Sequence, residues 1–344
     1  MSNSTVPRSR AEADEAQKTP AASGGTAGPG SGRTAGKLSL RTRFRRDRVL
    51  LLMTLPAVLL VLLFNYVPIL GNVVAFQDYD PYVSDNGVVS ILHSPWVGLE
   101  NFQRLFEDSA FWSAVQNTLV LFFLQLVLYF PVPILVALLI NSVVRPRIRA
   151  VSQAILYLPH FFSWVLVIAV FQQLFGGAGI LSQLLRQHGY DGVDIMTDPD
   201  TFKFLITAQS VWKDAGWGII VFLAALASVN PDLYEAAAMD GANRWRRMWH
   251  VTLPALRPVI ALLLVLRVGD ALTVGFEQIL LQRDAVGPGA SEVLDTFVWW
   301  NGVRNQDFGY AAAAGLIKGV ISLGLVLVAN KVAHLMGEQG VYKK

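Results

Sequence analysis

Residues 49–76 read VLLLMTLPAVLLVLLFNYVPILGNVVAF, with no Asp, Glu, Lys, Arg or His among them. A helix needs about 20 apolar residues to cross the hydrocarbon core of a bilayer, and this stretch exceeds that. Just before it stands LRTRFRRDR, Leu40–Arg48. A secretory signal has a shorter apolar core and a small-residue cleavage site. The long polar lead does not suit one either. The stretch is therefore predicted to stay in the membrane as a helix.

Five further runs follow it, at 111–144, 151–175, 204–229, 258–281 and 308–336. The second has no charge and the third only His160. Lys213 and Asp214 stand in the fourth, Arg267, Asp270 and Glu277 in the fifth, and Lys318 in the sixth. Composition agrees: 53% of residues are hydrophobic and 15% charged, where ordinary globular chains have about 25% charged. In lipid every backbone polar group must be paired internally, and runs of this length do so as helices. Prolines 56, 68, 131, 133 and 159 are predicted kinks inside them. The chain is thus predicted to be an all-α membrane protein with about six transmembrane helices. It has no cysteine, which excludes disulfides, thiolate metal sites and cysteine nucleophiles.

Charge orients these spans. The segments 1–48, 142–151, 229–257 and 331–344 hold 20 of the 28 Lys and Arg. Cytoplasmic loops carry such an excess, so both termini are expected in the cytoplasm. The same rule accounts for the basic residues of 41–48 as a topogenic and lipid-facing patch. Nothing requires a nucleic-acid partner. Residues 1–48 are too polar to bury a core and are expected to form a disordered basic tail, with 49–344 as the membrane domain. GSGRTAGKL within the tail misses the phosphate-loop spacing and has no strand before it.

The loop 230–254 reads NPDLYEAAAMDGANRWRRMWHVTLP. Pro231 and Asp232 mark a helix start, with Asp232 placed to cap it and Glu235 in the first turn. Gly241 ends or bends that helix. Asn243–His250 forms a second amphipathic stretch with Trp245, Met248 and Trp249 on one side. Such a hairpin suits either a lipid surface or a pocket on a soluble partner.

Glu235, Ala236, Ala237, Asp240, Gly241, Ala242, Leu253 and Pro254 resemble the EAA loop of bacterial ABC importer permeases. SPWVGLENFQRLF (94–106), YLPHFFSWV (157–165), VWKDAGWGIIVFLAAL (211–226), VGFEQILLQ (274–282) and LVANKVAHLMGEQGVY (327–342) resemble the carbohydrate branch, which takes oligosaccharides or polysaccharide fragments. Arg267 and Asp270 depart from that pattern, where small or neutral residues are usual. The resemblance implies a type I permease fold in the bacterial plasma membrane. It implies a second homologous permease subunit, two cytoplasmic ATPase subunits and an extracytoplasmic sugar-binding protein. The 230–254 loop would be the coupling element docked on the ATPase. ATP and magnesium would sit on that partner, with no cofactor on this chain.

Ionisable residues inside a membrane are functional candidates. Trp212, Lys213, Asp214 and Trp217 near mid-span, with Asp270, Glu277 and Gln278, are the candidate substrate pathway. Aromatic faces beside hydrogen-bonding groups suit sugar rings. The charges also admit a purely structural role as pairs: Lys213 with Asp214, and Arg267 with Asp270 at i, i+3. His160 reads as a packing residue, since no second ligand stands at a metal-binding spacing. A secondary transporter using these charges for ion coupling is the competing reading. It leaves the 230–254 loop unexplained. No catalytic motif of an intramembrane enzyme is present.

Overall fold

The computed structural model describes residues 48–143 and 145–335. The expected tail and the last residues of the resembling C-terminal stretch lie outside them. The described residues are helical, apart from turns, extended connections and one isolated bridge, Gln77 with Trp96. Among the described residues six helices are long and apolar enough to cross a membrane: Leu52–Phe76, Ser109–Asn141, Trp164–Gln187, Phe202–Ala227, Arg244–Gly269 and Phe308–Leu335. They are called the first to sixth spans below. The chain divides into two units at Leu62 and Leu63. In the first, the helix Arg48–Val61 contains Pro56, and its described side chains are exposed. The second unit holds everything that follows.

Proline shapes the spans. It donates no hydrogen bond, and its ring collides with a carbonyl one turn back. The π-helical turn Gln125–Tyr129 precedes Pro131, and Phe130 N–H reaches Gln125 O, five residues back, at 2.9 Å. Another, Met248–Thr252, precedes Pro254, with Leu253 N–H on Met248 O. A widened turn of this kind absorbs the misfit without ending the helix.

Two of the apolar runs are not the single helices that hydrophobicity predicted. The third breaks after Pro146–Tyr157 into a 3-10 turn, Leu158–Phe161, and restarts as Trp164–Phe175. Pro159 stands inside the break, and the Ser163 hydroxyl caps the new helix at Leu166 N–H, 3.3 Å. The fifth begins earlier, at Arg244, and ends at Gly269 rather than running to 281. Gly275, at φ +58, turns the chain into the short helix Phe276–Leu280.

The fourth span is the most enclosed. At the end that carries the 230–254 loop, Ile219, Phe222, Leu223 and Leu226 pack with Ala137, Ile140 and Leu256. Near its other end, Phe202 and Ile206 meet Leu121, Phe122, Ile279 and Val293. The contact with Pro146–Tyr157 needs a glycine: a Cβ on Gly216 would stand 2.2 Å from Leu156 O. Between the fifth and sixth spans, residues 281–304 fold into short helices. Leu294 and Phe297 pack on Phe111 and Tyr310. This segment is pinned by polar contacts. The Asn117 amide donates to Gly289 O and Glu292 O, at 3.1 and 3.0 Å. Arg283 donates to Glu292 at 2.7 Å while stacking on Trp300, 3.8 Å from the ring centre.

Candidate functional site: an exposed loop helix and an intramembrane polar cluster

The sequence candidates fall in two places. The first is the 230–254 loop. Its helix runs Pro231–Met239, and the Asn230 side chain caps it by accepting from Asp232 N–H at 3.0 Å. Asp232, expected to be the cap, stands instead in the first turn, where its charge suits the helix dipole. At the other end Ala242 N–H bonds Ala237 O at 2.9 Å and Gly241 N–H bonds Ala238 O at 3.0 Å. This pair of bonds defines a Schellman ending, which places the residue after the cap in the left-handed region. That residue is Gly241, at φ +74. The motif positions Ala237, Gly241 and Ala242 are thus one helix terminator.

Asn243 caps the next helix, Arg244–Arg247, through Arg246 N–H at 2.9 Å. This helix continues through the π turn into the fifth span, so the expected second arm of a hairpin is the base of that span. Leu253 and Pro254 stand where the π turn ends. Tyr234 OH and Thr252 Oγ1, 3.2 Å apart, tie the Pro231–Met239 helix to this base. Almost nothing else covers it. Glu235, Ala236, Asp240, Leu233 and Met239 are exposed, Met239 at 89%. A short helix with an uncovered apolar face has the geometry that helix-in-groove docking uses.

The second place is the middle of the fourth span. Lys213 is eleven residues past Phe202, or about 16 Å along the axis at 1.5 Å per residue. The break in the third span faces it. The chain turns extended at Phe162 and Ser163, so the His160 carbonyl has no helical donor and accepts from Lys213 Nζ at 2.9 Å. The same ammonium stands 3.5 Å from Asp214 and over the Trp164 ring. Asp214 Oδ1 also contacts His160 Nδ1 at 3.0 Å. The His160 ring stacks on Trp217, 5.1 Å between centres and 17° from parallel. Trp212 packs edge-on to Phe171. One side of the cluster is open, with Trp217 58% and Phe161 77% exposed.

His160 is therefore more than the packing residue its sequence context indicated. The polar partner lies 54 residues away, and no local pattern reports such a pairing. The candidates beyond the fourth span do not join the cluster. Asp270 and Glu277 are exposed. Gln278 is fully buried and serves the scaffold. Its amide donates to Gln209 Oε1 at 2.7 Å and Ile206 O at 2.9 Å, and its oxygen accepts from Ser210 at 3.1 Å. Gln209 and Gln282 complete this lock with two reciprocal bonds. Arg267 does not pair with Asp270: it donates to Gln125 and lies over the Tyr129 ring, 5.7 Å from its centre. Among the described residues no group of three His, Cys, Asp or Glu is placed to hold a metal.

Six spans, an exposed short helix in the 230–254 loop and an open polar cluster midway along the fourth span are the features of a multi-pass membrane protein with polar groups inside its spans. Residues 129–336 match the family described as "Binding-protein-dependent transport system inner membrane component", and the chain belongs to that family. It is 43% identical over 298 residues to the polygalacturonan/rhamnogalacturonan transport system permease protein YteP of Bacillus subtilis (strain 168), covering 86% of this chain and 91% of that one. A solved bacterial alginate ABC transporter, in complex with alginate pentasaccharide-bound periplasmic protein, has a chain 37% identical to it. Their TM-score is 0.79, over 88% of this chain and 99% of that one. A second solved structure, a bacterial ABC transporter involved in the import of the acidic polysaccharide alginate, aligns with TM-score 0.78 and 37% identity over 86% and 98%. The chain is thus the multi-pass membrane permease component of an ABC importer, and ATP hydrolysis belongs to a separate subunit.

Proposed function

We propose that this permease passes an oligosaccharide or polysaccharide fragment, delivered by an extracytoplasmic binding protein, along the open face of the His160–Asp214–Trp217 cluster. The observation that carries this reading is that face itself. A carboxylate and an imidazole, each about one-third exposed, are costly against lipid and belong on a water-filled path. Exposed tryptophan and phenylalanine rings offer apolar platforms for the C–H faces of sugar rings. Asp214 Oδ2 is left to accept from sugar hydroxyls. The second permease subunit closes the path from the other side.

Two cytoplasmic ATPase subunits bind ATP and magnesium, and one receives the Pro231–Met239 helix in a groove. ATP favours one conformation of the assembly, and the helix transmits that preference to the spans. Both termini then lie in the cytoplasm, on the side of the basic loops.

Replacing Trp217 by Ala removes a platform without disturbing the Lys213–His160 bond. Uptake of oligosaccharide into proteoliposomes holding the complete transporter is expected to fall about two- to tenfold, given about 0.5–1.5 kcal/mol per aromatic contact. Assembly with the ATPase is expected to be unchanged. Full uptake by this variant would remove the cluster from the path.

A further inference from the structure

Between Leu158 and Ser163 the third span has left the α-helix. A 3-10 turn runs to Phe161, and Phe162 and Ser163 are extended. Element ends without helical hydrogen bonds are where hinges form, so the position of the His160 ring depends on what holds this break. One face of the fourth span holds it. The two backbones touch just before the break, where a Cβ on Gly216 would collide with Leu156 O. Trp217 stacks on the His160 ring within it. Lys213, one turn back from both, spans it. Its ammonium donates to the His160 carbonyl at 2.9 Å and lies 5.3 Å from the centre of the ring of Trp164, the first residue of the restarted helix.

Exposure separates Lys213 from its neighbours. Its side chain is 10% exposed, against 31% for Asp214 and 32% for His160. The ammonium therefore stands behind the groups that face the open side. Burying an ammonium is costly and needs a reason. Offsetting the Asp214 charge is one, yet that contact is the longer, 3.5 Å against 2.9 Å to the carbonyl. The carbonyl and the imidazole belong to one residue. Fixing the first aims the second at Asp214 and Trp217.

We infer that Lys213 is a positioning residue. By tying the His160 carbonyl across the break, it holds the His160–Trp217 platform toward the open side and does not itself touch the transported molecule. The consequence for transport rests on the carbohydrate reading above; the hold on the break does not.

The chain has no cysteine, so a pair of spin labels can be placed on it cleanly. Leu158→Cys in the turn and Ile220→Cys on the fourth span, both exposed, report the distance across the break in the complete transporter, with the other subunits made cysteine-free. A single narrow distance is expected with Lys213. Lys213→Met should broaden or shift it, and Lys213→Arg, which keeps donor and charge, should stay near wild type. Uptake of tri-galacturonate into proteoliposomes, without labels, is expected to fall about tenfold in Lys213→Met, the usual worth of a hydrogen bond from a charged group. A second comparison isolates charge balance. If Lys213 only offsets Asp214, then Lys213→Met with Asp214→Asn should match Asp214→Asn alone. The inference expects the double variant to stay about tenfold below it and to show the altered distance. The double variant strands no charge, so it stands in should Lys213→Met fail to assemble. A wild-type distance in either variant, or equal measurable uptake by the double variant and Asp214→Asn, overturns the inference. Wild type that takes up no oligosaccharide sinks the carbohydrate reading instead, and the distances still decide the role of Lys213.

Discussion

At Gly241 a single dihedral angle connects the sequence to the proposed coupling. The position has φ +74 and open space where a Cβ would go, so a substitution there tests backbone conformation and nothing else. A left-handed residue with a side chain costs about 1–2 kcal/mol, and Asn bears it more easily than Ala. Gly241→Ala is expected to cut ATP-driven uptake several-fold, and Gly241→Asn to retain more, with membrane insertion equal in both. Uptake that is the same in wild type and both variants would show that the Schellman ending is not needed. The glycine was legible in the sequence because its role is local. The cap was less so. Asp232 and Asn230 both accept hydrogen bonds, and which one caps depends on where Pro231 starts the helix. His160 was not legible, since its partners Lys213 and Asp214 are brought to it only by the packing of the third span on the fourth.

Among the elements, apolar runs marked the spans but not their breaks. Hydropathy is indifferent to whether a proline produces a π turn, as before Pro131 and Pro254, or a full interruption, as at Pro159. The difference lies in the neighbours. Just past Pro159 a lysine from the fourth span takes the His160 carbonyl that the extended Phe162 and Ser163 leave without a helical donor, so the chain can leave the helix. The base of the fifth span was hidden for the opposite reason, because Arg244, Arg246 and Arg247 make its first turn read as the second arm of a surface hairpin rather than as part of a span. Gln278 looked like a pathway residue because it is polar in an apolar run, yet its amide is consumed by the lock with Gln209, Ser210 and Ile206. Apolar burial drives little helix association in lipid, and interhelical hydrogen bonds contribute about 0.6–2 kcal/mol each. Gln278→Leu is therefore expected to lower the thermal midpoint of the purified chain by several degrees by orphaning those partners. An unchanged midpoint would mean the glutamine lock carries no stability.

For the molecule as a whole, six spans were readable from length and charge because the bilayer imposes both. The site was readable only where it is local. The loop 230–254 could be read as a capped helix ended by a glycine, on which the proposed coupling role rests. The proposed pathway needed the fold, because its groups come from the broken third span and the fourth span. What joins these levels is the claim that a separate ATPase moves the spans through the Pro231–Met239 helix. The direct measurement is uptake of labelled oligosaccharide into proteoliposomes, with and without the ATPase subunits, for wild type and for Glu235→Lys on the exposed face of that helix. Wild type should accumulate sugar only with the ATPase, ATP and the loaded binding protein. Glu235→Lys should insert normally and lose most of that uptake. Accumulation without the ATPase, or full uptake by the variant, would contradict it.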